Sequence, residues 1–540
     1  MARKPNTDGE SADEATPEPP KQATQRKPAK KATPKRSKKP AKPRSKKARE
    51  ALARAETRRW WLASLALVLG TLAVRLVVLA AEAMPVHFDE AQYWAYGQEL
   101  AWGYYSKPPG VGAVIALSTG LLGDTLFALR LPSPLAHAGI ALLIHLSAAR
   151  LFDARTGFWA AAGYTLAPGV TVSAMIVSTD PPMMLAWALA LYALIRARAS
   201  TGWLWWAVLG IAIGLGALAK YTMLAFAVGA LGWGLFSAEG RTLRGAAIAA
   251  ALAFATLAPN LLWNAANGFA TLTHVAEDAA PEGTAWGNPA TLAEFLGAQL
   301  GVIGPVFFLA ILAQLWRRRE MAREPNLALI GWLTFALLIP FVALSFASRA
   351  QPNWAAPAYI CGSILAARWL LTRDWRRALI WGQAGFGVLA ALSVYALAAL
   401  YADQGERLPR LLDPFKKMRL SEPFCERALA AMDEEGAEVL LSDSRRRLSE
   451  CMFLGGLGWD RIAVWNPDLT PANHHELVAT LRPGDGRRML LAVLGEGEDI
   501  AERFDEAILL EADTLTSHAD RTTPYSLWVV QDFTDYGQRY

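Results

Sequence analysis

The middle of the chain consists of long apolar runs separated by short polar segments. Between Trp60 and Leu400 most runs are about 17–25 residues long, which lets a helix cross a bilayer. The pattern predicts a polytopic α-helical membrane protein with eleven spans, near 60–81, 129–149, 157–177, 182–196, 203–219, 222–237, 244–263, 294–316, 326–346, 353–371 and 378–400. A shorter run at 110–123 predicts a juxtamembrane or re-entrant helix, and the count changes if this run spans the membrane. The expected range is about 11–13 spans.

The composition agrees with this pattern and excludes other classes of protein. Hydrophobic residues make up 53% of the 540 residues and charged residues 19%, whereas a typical soluble domain has about 25% charged residues. The mean hydropathy is +0.20, and the chain has 21 tryptophans. These values exclude a soluble globular enzyme, a coiled coil and a mostly disordered chain.

Charge divides the chain into three parts. Residues 1–59 carry a net charge of +12, residues 60–400 carry +4 and residues 401–540 carry −10. The first part is rich in Lys, Pro, Ala, Thr and Ser, so we expect a disordered basic tail. Its lysine runs are compatible with nucleic acid binding. A cytoplasmic anchor that also touches anionic lipid is the favoured interpretation, and we expect no nucleic acid partner.

Basic residues fall on one side of the predicted spans. With the tail in the cytoplasm, five short cytoplasmic loops hold 14 arginines, as the positive-inside rule requires. These are Arg150, Arg155, Arg196, Arg198, Arg241, Arg244, Arg317, Arg318, Arg319, Arg323, Arg368, Arg373, Arg376 and Arg377. The outer ends and loops of residues 60–400 hold Lys107, Arg130, Lys220 and Arg349. An odd number of spans places residues 401–540 outside, so we expect a multi-pass protein of the cell inner membrane with a periplasmic or otherwise extracytoplasmic C-terminal part.

Three regions are expected on the outer side. Two are the loops 82–128 and 264–293 of a membrane domain that spans residues 60–400. The third, residues 401–540, alternates strand-like runs with helical stretches, which predicts a small α/β domain. Its strands are expected at 438–441, 461–465, 489–493 and 527–530, and its helices at 421–435 and 471–481. Cys425 and Cys451 lie in this domain, where oxidation is allowed, but the sequence does not settle whether they pair.

Two adjacent carboxylates, Asp89 and Glu90, follow directly after the first span. A carboxylate close to the membrane is costly unless it is solvated, paired or used in function. Asp89 is therefore either the cap of an amphipathic helix that the sequence predicts from residue 90 or part of a functional site. The local sequence gives these two interpretations equal weight.

Cations and further polar residues gather at the same outer face. Lys107 and Lys220 are the two lysines between positions 60 and 400. Both lie outside, against the charge bias, which favours binding of an anionic ligand over snorkelling at the interface. Asp180, which a proline follows, is either a helix N-cap or a site residue, and Arg349 and Asn353 lie at another outer mouth. This mixture suits a phosphate-bearing amphiphile and a proton acceptor.

Seven short motifs follow one another in order along the membrane domain. They are Asp89-Glu90, Tyr104-Tyr105-Ser106-Lys107-Pro108-Pro109, Arg130-Leu131-Pro132, Thr179-Asp180-Pro181, Lys220-Tyr221-Thr222, Pro259-Asn260-Leu261-Leu262-Trp263-Asn264 and Pro352-Asn353-Trp354-Ala355-Ala356-Pro357-Ala358-Tyr359. Together they resemble the bacterial dolichyl-phosphate-mannose-protein mannosyltransferase-like family. This is glycosyltransferase family 39, of GT-C fold, which includes the aminoarabinose transferase of lipid A and the rhizobial galacturonic acid transferases. Ala355 and Ala219 depart from the family pattern, but neither touches the acidic pair.

The resemblance implies a membrane glycosyltransferase that takes a sugar from a polyprenyl phosphate carrier. The acceptor lies on the outer side of the membrane and is lipid A, another glycolipid, a polysaccharide or a protein. Asp89 matches the family's acidic catalytic position, with Glu90 beside it. With the charge pattern, this gives a predicted substrate-binding set of Lys107, Asp180, Lys220, Arg349, Tyr104, Tyr105 and Asn353.

The expected chemistry needs cations and a base. The departing phosphate must be neutralised, which Lys107, Lys220 or Arg349 can do electrostatically. The acceptor hydroxyl or phosphate must be oriented, and Asp89 is placed to act as the general base for any deprotonation. Direct attack on the anomeric carbon would invert its configuration. We expect no cofactor and no required metal, although the paired carboxylates leave a divalent ion open.

Three other hypotheses compete with that of a polyprenyl phosphate-dependent glycosyltransferase. The first is a protein O-mannosyltransferase-type enzyme, and the second is a transporter or flippase of lipid-linked sugars. A transporter predicts charges at the membrane midplane, broken helices and often internal repeats, whereas here only Arg75 lies deep in a predicted span. The third, a membrane scaffold, explains the C-terminal domain but not the loop motifs. The transferase is favoured, and the sugar, the acceptor and the role of the C-terminal domain stay open.

Overall fold

Helices make up most of the described residues between 46 and 404. The computed structural model describes residues 46–236, 243–279, 287–404, 407, 409–411, 413 and 415–537. The helices of this first part are α1 (Lys46–Ala80), α2 (Phe88–Gln98), α3 (Gly110–Leu122), α4 (Leu126–Arg130), α5 (Pro132–Leu151), α6 (Ala154–Thr165), α7 (Pro168–Ser173), α8 (Asp180–Arg198), α9 (Leu204–Ala219), α10 (Leu224–Phe236), α11 (Leu243–Ala266), α12 (Ala270–Ala279), α13 (Pro289–Val302), α14 (Pro305–Trp316), α15 (Arg318–Arg323), α16 (Pro325–Ser345), α17 (Ala358–Leu370) and α18 (Asp374–Gln404). Short 3₁₀ turns at Tyr221–Met223 and Pro352–Ala355 precede α10 and α17.

The first helix begins earlier than the sequence predicts. Helix α1 starts at Lys46, so residues 46–59, which we assigned to the tail, are helical. This stretch is rich in Ala, Arg, Lys and Glu, which are strong helix formers, and it continues into the apolar run without a Gly or Pro. Residues 1–45, the rest of the predicted tail, lie outside the described residues.

Several helices have the length and composition of membrane spans. In the described ranges five qualify by length and composition alone: Lys46–Ala80, Leu126–Leu151, Leu243–Ala266, Pro325–Ser345 and Asp374–Leu400. Shorter apolar helices lie at Gly110–Leu122, Leu204–Ala219, Tyr221–Leu235, Pro305–Trp316 and Ala358–Leu370. Each of the eleven predicted runs overlaps at least one helix, and the short run at 110–123 forms α3. The chain is a multi-pass helical membrane protein, and the count of eleven spans stays a prediction.

Two of the predicted spans are broken helices. The run 157–177 divides into α6 and α7 ahead of Pro168, and the run 294–316 divides into α13 and α14 at Gly304. Gly304 has a φ of +90°, a left-handed conformation that glycine adopts without steric cost. Both breaks interrupt the helical hydrogen-bond ladder inside an apolar part of the chain.

Polar side chains satisfy the backbone groups that these breaks expose. Gln383 donates from Nε2 to the carbonyl oxygen of Ile303 across 2.8 Å, and its Oε1 accepts from the N–H of Val306 across 3.2 Å. Arg75 donates to the carbonyl oxygen of Thr165 across 2.7 Å. Because non-helical backbone at membrane depth is tolerated only where protein groups or water satisfy it, both side chains stabilise the breaks. Arg75 therefore has a structural role.

A five-stranded sheet forms after the last long helix. Its strands are β1 (Val439–Ser442), β2 (Ile462–Val464), β3 (Met489–Val493), β4 (Phe504–His518) and β5 (Arg521–Phe533), in the spatial order β2-β1-β3-β5-β4. Strand β1 runs parallel to β2 and β3, whereas β5 runs antiparallel to β3 and β4. The helices of this region are α19 (Ser421–Glu434), α20 (Arg445–Gly455), α21 (His474–Ala479) and α22 (Glu498–Ala501). The four predicted strands fall on β1, β2, β3 and β5.

Strand β4 was not predicted from the sequence. It is an edge strand of the sheet, and most of its residues from 505 to 514 are exposed. Its run of Asp, Glu and Leu lacks the clean alternation that marks a half-buried strand. The hairpin with β5 therefore depends on pairing rather than on a hydrophobic pattern that can be read locally.

Cys425 and Cys451 form a disulfide that joins α19 to α20, with Cα atoms 5.0 Å apart. This answers the pairing question that the sequence left open. Cys361 is buried in α17 as a free thiol.

The sheet shares a hydrophobic core with the segment at residues 82–128. One face of the sheet, with Leu440 and Val529, packs in a single cluster with Trp94, Tyr96 and Tyr104 of residues 82–128. The other face forms a separate cluster of its own. The residues after 420 are therefore held against the loop that begins with the acidic pair.

Candidate active site

A cavity of about 890 Å³ joins a polar wall to an apolar wall. The polar wall holds side chains from loops and helix ends: Asp89, Tyr93, Ser106, Lys107, Ser178, Thr179, Asp180, Lys220, Tyr221, Thr222 and Asn353. The apolar wall includes Pro168, Gly169, Val170, Val172, Ile176, Val302, Ile303, Phe341 and Leu344. The backbone around the two helix breaks thus supplies part of the apolar surface. Such a space fits a ligand with a charged head and a hydrocarbon tail.

The structure brings five of the nine predicted site residues to this cavity. Asp89, Lys107, Asp180, Lys220 and Asn353 line it. The other four are not among its lining residues: Glu90, Tyr104, Tyr105 and Arg349.

Asp89 is the second residue of α2, and its side chain is 45% exposed. The residue that caps the helix is His87, whose Nδ1 accepts from the N–H of Asp89 across 3.2 Å. Glu90 completes the capping box, because its carboxylate accepts from the N–H of His87 across 3.0 Å. The cap function weighed for Asp89 is therefore filled by its two neighbours. Its own carboxylate lies at the cavity, with His87 Nδ1 at 3.6 Å.

Glu90 is buried, with 1% of its surface exposed. Its Oε2 lies 2.8 Å from a guanidinium nitrogen of Arg130, and its Oε1 accepts from the N–H of Val177 across 2.9 Å. Arg130 also donates to the carbonyl oxygens of Met84 and Pro85. We expected Glu90 in the catalytic pair, but both oxygens of its carboxylate are engaged, by Arg130 at the end of α4 and by Val177 just before α8. These contacts fix the start of α2, where Asp89 lies.

Asp180 connects two cavity residues. Lys220 donates from Nζ to its Oδ1 across 2.7 Å, and Asn353 donates to its Oδ2 across 2.8 Å. Asp180 is the first residue of α8, and Thr179 occupies the N-cap position without a side-chain cap bond. With both oxygens engaged, Asp180 serves to hold Lys220 and Asn353 in place.

Lys107 lies in a tight loop ahead of α3. Its carbonyl oxygen accepts from the N–H of Tyr104 across 3.0 Å, which closes the loop. At Gly110 an added Cβ would lie 2.8 Å from the carbonyl oxygen of Leu218, so glycine allows the close approach of α3 to the end of α9. Because Lys220 follows α9 directly, this contact brings the two lysine-bearing segments together.

Arg349 is placed on the surface. It pairs with Glu294 at 2.6 Å, and its side chain is 75% exposed. We expected Arg349 to assist at the phosphate, but it makes its contact outside the cavity lining. Lys107 and Lys220 are the lysines that line the cavity.

The two tyrosines of the loop have structural contacts. Tyr104 is buried and stacks on Tyr96 with ring centroids 4.2 Å apart, and its hydroxyl donates to the carbonyl oxygen of Tyr96 across 2.6 Å. The ring of Tyr105 lies 5.9 Å from that of His274. Both are predicted to bind substrate, and in the structure they contact other aromatic residues near the loop that carries Lys107.

The sequence analysis missed one tyrosine of the polar wall. Tyr93 lies one helical turn after Asp89, so the i, i+4 spacing on α2 was the signal that could have found it. Burial, with a smaller effect from the charge of Asp89, raises the pKa of Tyr93 well above its usual value. Tyr93 therefore keeps its hydroxyl proton at neutral pH.

A hydrogen-bond chain links two of the sequence motifs. Tyr221 donates from its hydroxyl to Oδ1 of Asn260 across 2.7 Å, and Asn264 donates to the same hydroxyl across 3.2 Å. Asn260 in turn donates to the carbonyl oxygen of Trp102 across 2.7 Å. The asparagines of α11 therefore support both the segment after Lys220 and the start of the first-loop turn.

Within the described ranges, no group of three or more His, Cys, Asp or Glu side chains is arranged to hold a metal ion. Of the two adjacent carboxylates considered for this purpose, that of Glu90 is engaged by Arg130.

The chain is similar in sequence to known proteins. Residues 106–263 match the family model described as dolichyl-phosphate-mannose-protein mannosyltransferase. The chain is 32% identical over 423 residues to the lipid A galacturonosyltransferase RgtD of Rhizobium johnstonii, covering 76% of this chain and 86% of that protein.

Two solved structures share the fold. The crystal structure of ArnT from Cupriavidus metallidurans bound to undecaprenyl phosphate superposes with a TM-score of 0.62 at 16% identity, covering 89% of this chain and 99% of that one. The apo structure of the same protein gives a TM-score of 0.57 at 15% identity, covering 86% and 98%. At this identity, the likeness is one of fold.

Proposed function

We propose that this chain, which belongs to the dolichyl-phosphate-mannose-protein mannosyltransferase family and is a membrane glycosyltransferase of GT-C fold, moves a sugar from a polyprenyl phosphate carrier to lipid A or a related envelope glycolipid. One observation carries this proposal. A partly exposed carboxylate, Asp89, lines the same cavity as Lys107 and Lys220, and that cavity continues along an apolar wall.

The donor fits both walls of the cavity. Its phosphate lies at Lys107 and Lys220, where two ammonium groups offset its negative charge. Its polyprenyl chain follows the apolar residues beside the two helix breaks. The undecaprenyl phosphate bound by ArnT supports a carrier of this class.

Transfer is a direct displacement at the anomeric carbon. The acceptor oxygen forms a bond to that carbon while the bond from the carbon to the carrier's phosphate oxygen breaks, and the electron pair leaves with the phosphate. The hydroxyl proton of the acceptor passes to the carboxylate of Asp89, which acts as general base. The configuration at the carbon is inverted. Lys107 and Lys220 stabilise the negative charge that builds on the leaving phosphate.

The remaining residues act by placing these groups. Asp180 and Asn353 hold Lys220 against the cavity through the contacts at 2.7 and 2.8 Å. Glu90 and Arg130 fix the first turn of α2, so the carboxylate of Asp89 is already positioned when substrate binds. A misplacement of about 1 Å can cost a hundredfold in rate, so these contacts matter without touching substrate.

The acceptor and the sugar are inferred from the relative. RgtD is a lipid A galacturonosyltransferase, and this chain covers most of its length. We therefore propose lipid A as the acceptor and a hexuronic acid as the sugar. Mass spectrometry of lipid A from a deletion strain tests both: loss of one hexuronic acid is expected, and unchanged lipid A would contradict the assignment.

The reaction takes place on the outer side of the cell inner membrane. We propose eleven spans, an N-terminus in the cytoplasm and residues 401–540 outside. The arginine distribution favours this orientation. The disulfide between Cys425 and Cys451 also favours it, because disulfides form and persist in oxidising compartments.

A further inference from the structure

The C-terminal domain, residues 421–537, contacts the first outer loop through several aromatic side chains. Trp459 donates from Nε1 to the carbonyl oxygen of Ala95 across 3.0 Å. Phe453 packs edge-on against Trp94 with ring centroids 5.5 Å apart. The domain therefore rests on α2 itself, the helix that carries Asp89.

His474 contacts this loop through both ring packing and a hydrogen bond. Its ring lies edge-on to Tyr96, Tyr104 and Trp459, with centroids 5.1, 5.2 and 5.4 Å away. Its Nδ1 accepts a hydrogen bond from the backbone N–H of Tyr105 across 3.4 Å. It is the first residue of α21, and 8% of its surface is exposed.

The bond to Tyr105 falls inside the loop that presents Lys107. Tyr104 donates from its N–H to the carbonyl oxygen of Lys107 across 3.0 Å. On the other side, Thr271 of α12 donates to the carbonyl oxygen of Tyr104 across 2.7 Å. The backbone ahead of Lys107 is thus held between α12 and the C-terminal domain.

The ionisation state of His474 suits an acceptor role. Burial lowers the pKa of His474 to about 4, so the ring is neutral near pH 7. A neutral imidazole has one nitrogen that accepts and one that carries hydrogen. The Tyr105 N–H takes the accepting position at Nδ1, so the proton lies on Nε2.

We propose that His474 is a positioning residue of the transfer site, through which the C-terminal domain holds the 104–107 loop so that Lys107 meets the carrier phosphate. This inference rests on the proposed contact between Lys107 and that phosphate. It gives the C-terminal domain a part in donor binding.

The test compares variants of the full-length enzyme that keep or lose the acceptor atom. In His474→Asn the amide oxygen can replace Nδ1, whereas His474→Phe keeps a ring without an acceptor. With a polyprenyl phosphate-linked sugar as donor, we expect the donor KM of the Phe variant to rise roughly fivefold, the effect of one lost hydrogen bond. The Asn variant should stay within about twofold of wild type, and the KM for acceptor should not change in either.

A double-mutant cycle separates positioning from general damage. In an enzyme that already carries Lys107→Ala, His474→Phe should add little to the donor KM, because the two residues act through one contact. The control is Phe504→Leu, which alters the core on the far face of the sheet and should leave the donor KM unchanged. If the Phe variant does not accumulate in membranes, His474→Leu replaces it as the variant without a hydrogen-bond acceptor.

Two results would overturn the inference alone: a wild-type donor KM in both His474→Phe and His474→Leu, or an effect that multiplies with that of Lys107→Ala. A different result, an unchanged donor KM in Lys107→Ala itself, would remove the proposed phosphate contact and the inference with it. The two failures are therefore distinguished by the Lys107 variant.

Discussion

The Nζ atom of Lys220 lies 2.7 Å from Oδ1 of Asp180, and the other oxygen of that carboxylate accepts from Asn353. The lysine side chain is 22% exposed and the aspartate 10%, so the pair is shielded from water at the cavity wall. A cation held this way keeps its position before substrate arrives, which is how preorganised charge contributes to catalysis.

Replacing Asp180 with Asn should reduce sugar transfer by about ten- to a hundredfold, because a charge-assisted contact contributes about 1.5–3 kcal/mol. Lys220 then loses its anchor while its charge remains. The assay is turnover of purified enzyme with saturating donor and acceptor.

The matched control is the exposed pair of Arg349 and Glu294, whose side chains are 75% and 56% exposed. Exposed pairs contribute about 0–1 kcal/mol, so Arg349→Ala should leave transfer close to wild type. Equal losses in Asp180→Asn and Arg349→Ala would mean that the cavity geometry does not decide which cation matters.

Replacing Lys107 with Ala should weaken donor binding and slow transfer by a similar amount, since its ammonium group is proposed to contact the carrier phosphate. Lys107→Arg should recover part of the loss, because charge matters more than shape at a single point contact. Donor KM and binding of the carrier phosphate alone report the effect. Wild-type donor kinetics in Lys107→Ala would take this residue out of the site.

The C-terminal domain should lose stability as the pH falls below about 6.5. Burial lowers the pKa of His474 to about 4 and that of His475 to about 3, while both have a pKa of about 6.5 in an unfolded chain. Between these values the unfolded chain binds more protons than the folded domain, so stability decreases with falling pH. At pH 5 the loss is about 2 kcal/mol for each histidine.

Hydrogen exchange of residues 421–537 in detergent, compared at pH 7 and pH 5, measures this effect. His474→Asn should remove the share of the stability loss that comes from protonation of His474. Equal protection at the two pH values would contradict the assignment of neutral, buried histidines at this interface.

The disulfide between Cys425 and Cys451 should form in cells and stabilise the domain. It closes a loop of 26 residues, for which chain entropy gives about 3.5 kcal/mol. The protein is alkylated before or after reduction and then analysed by mass spectrometry. Both cysteines should carry the alkyl group only when reduction comes first. Free thiols in protein taken directly from cells would argue against an extracytoplasmic domain.

The sequence predicted much of the helical part because its signals are local. Apolar runs of span length place helices at residues 60–400, and the motifs around Asp89, Lys107, Asp180, Lys220 and Asn353 name five cavity residues in advance. The sequence does not show which of the two adjacent carboxylates lies at the cavity. Asp89 and Glu90 look equivalent along the chain, and only the positions of Arg130 and Val177 decide that Glu90 is buried in a structural ion pair.

Contacts between distant segments account for the other differences. Arg349 was expected at the phosphate, but it pairs with Glu294, 55 residues away in sequence. The role of His474 depends on Tyr105, 369 residues away. Neither pairing leaves a periodic pattern in the sequence, because it is decided by how the loops fold back onto the helices.

Glu90 and Asp89 should respond differently to loss of charge. Glu90→Gln breaks a buried ion pair with Arg130, and such a change costs about 3–5 kcal/mol. We therefore expect a lower thermal midpoint and a smaller yield of folded enzyme, with a milder effect on turnover per folded molecule. A Glu90→Gln enzyme of wild-type stability would contradict a positioning role for this residue.

The most direct test of the proposed mechanism is the turnover of Asp89→Asn with saturating polyprenyl phosphate donor and acceptor. His87 and Glu90 supply the helix cap, so the substitution should leave yield and thermal midpoint near wild type. Asn cannot take the acceptor's proton, so turnover should fall by about 10²–10⁴-fold, the usual effect of losing a general base. Wild-type turnover in this variant would contradict the account, because the reaction would then proceed without Asp89 as its base.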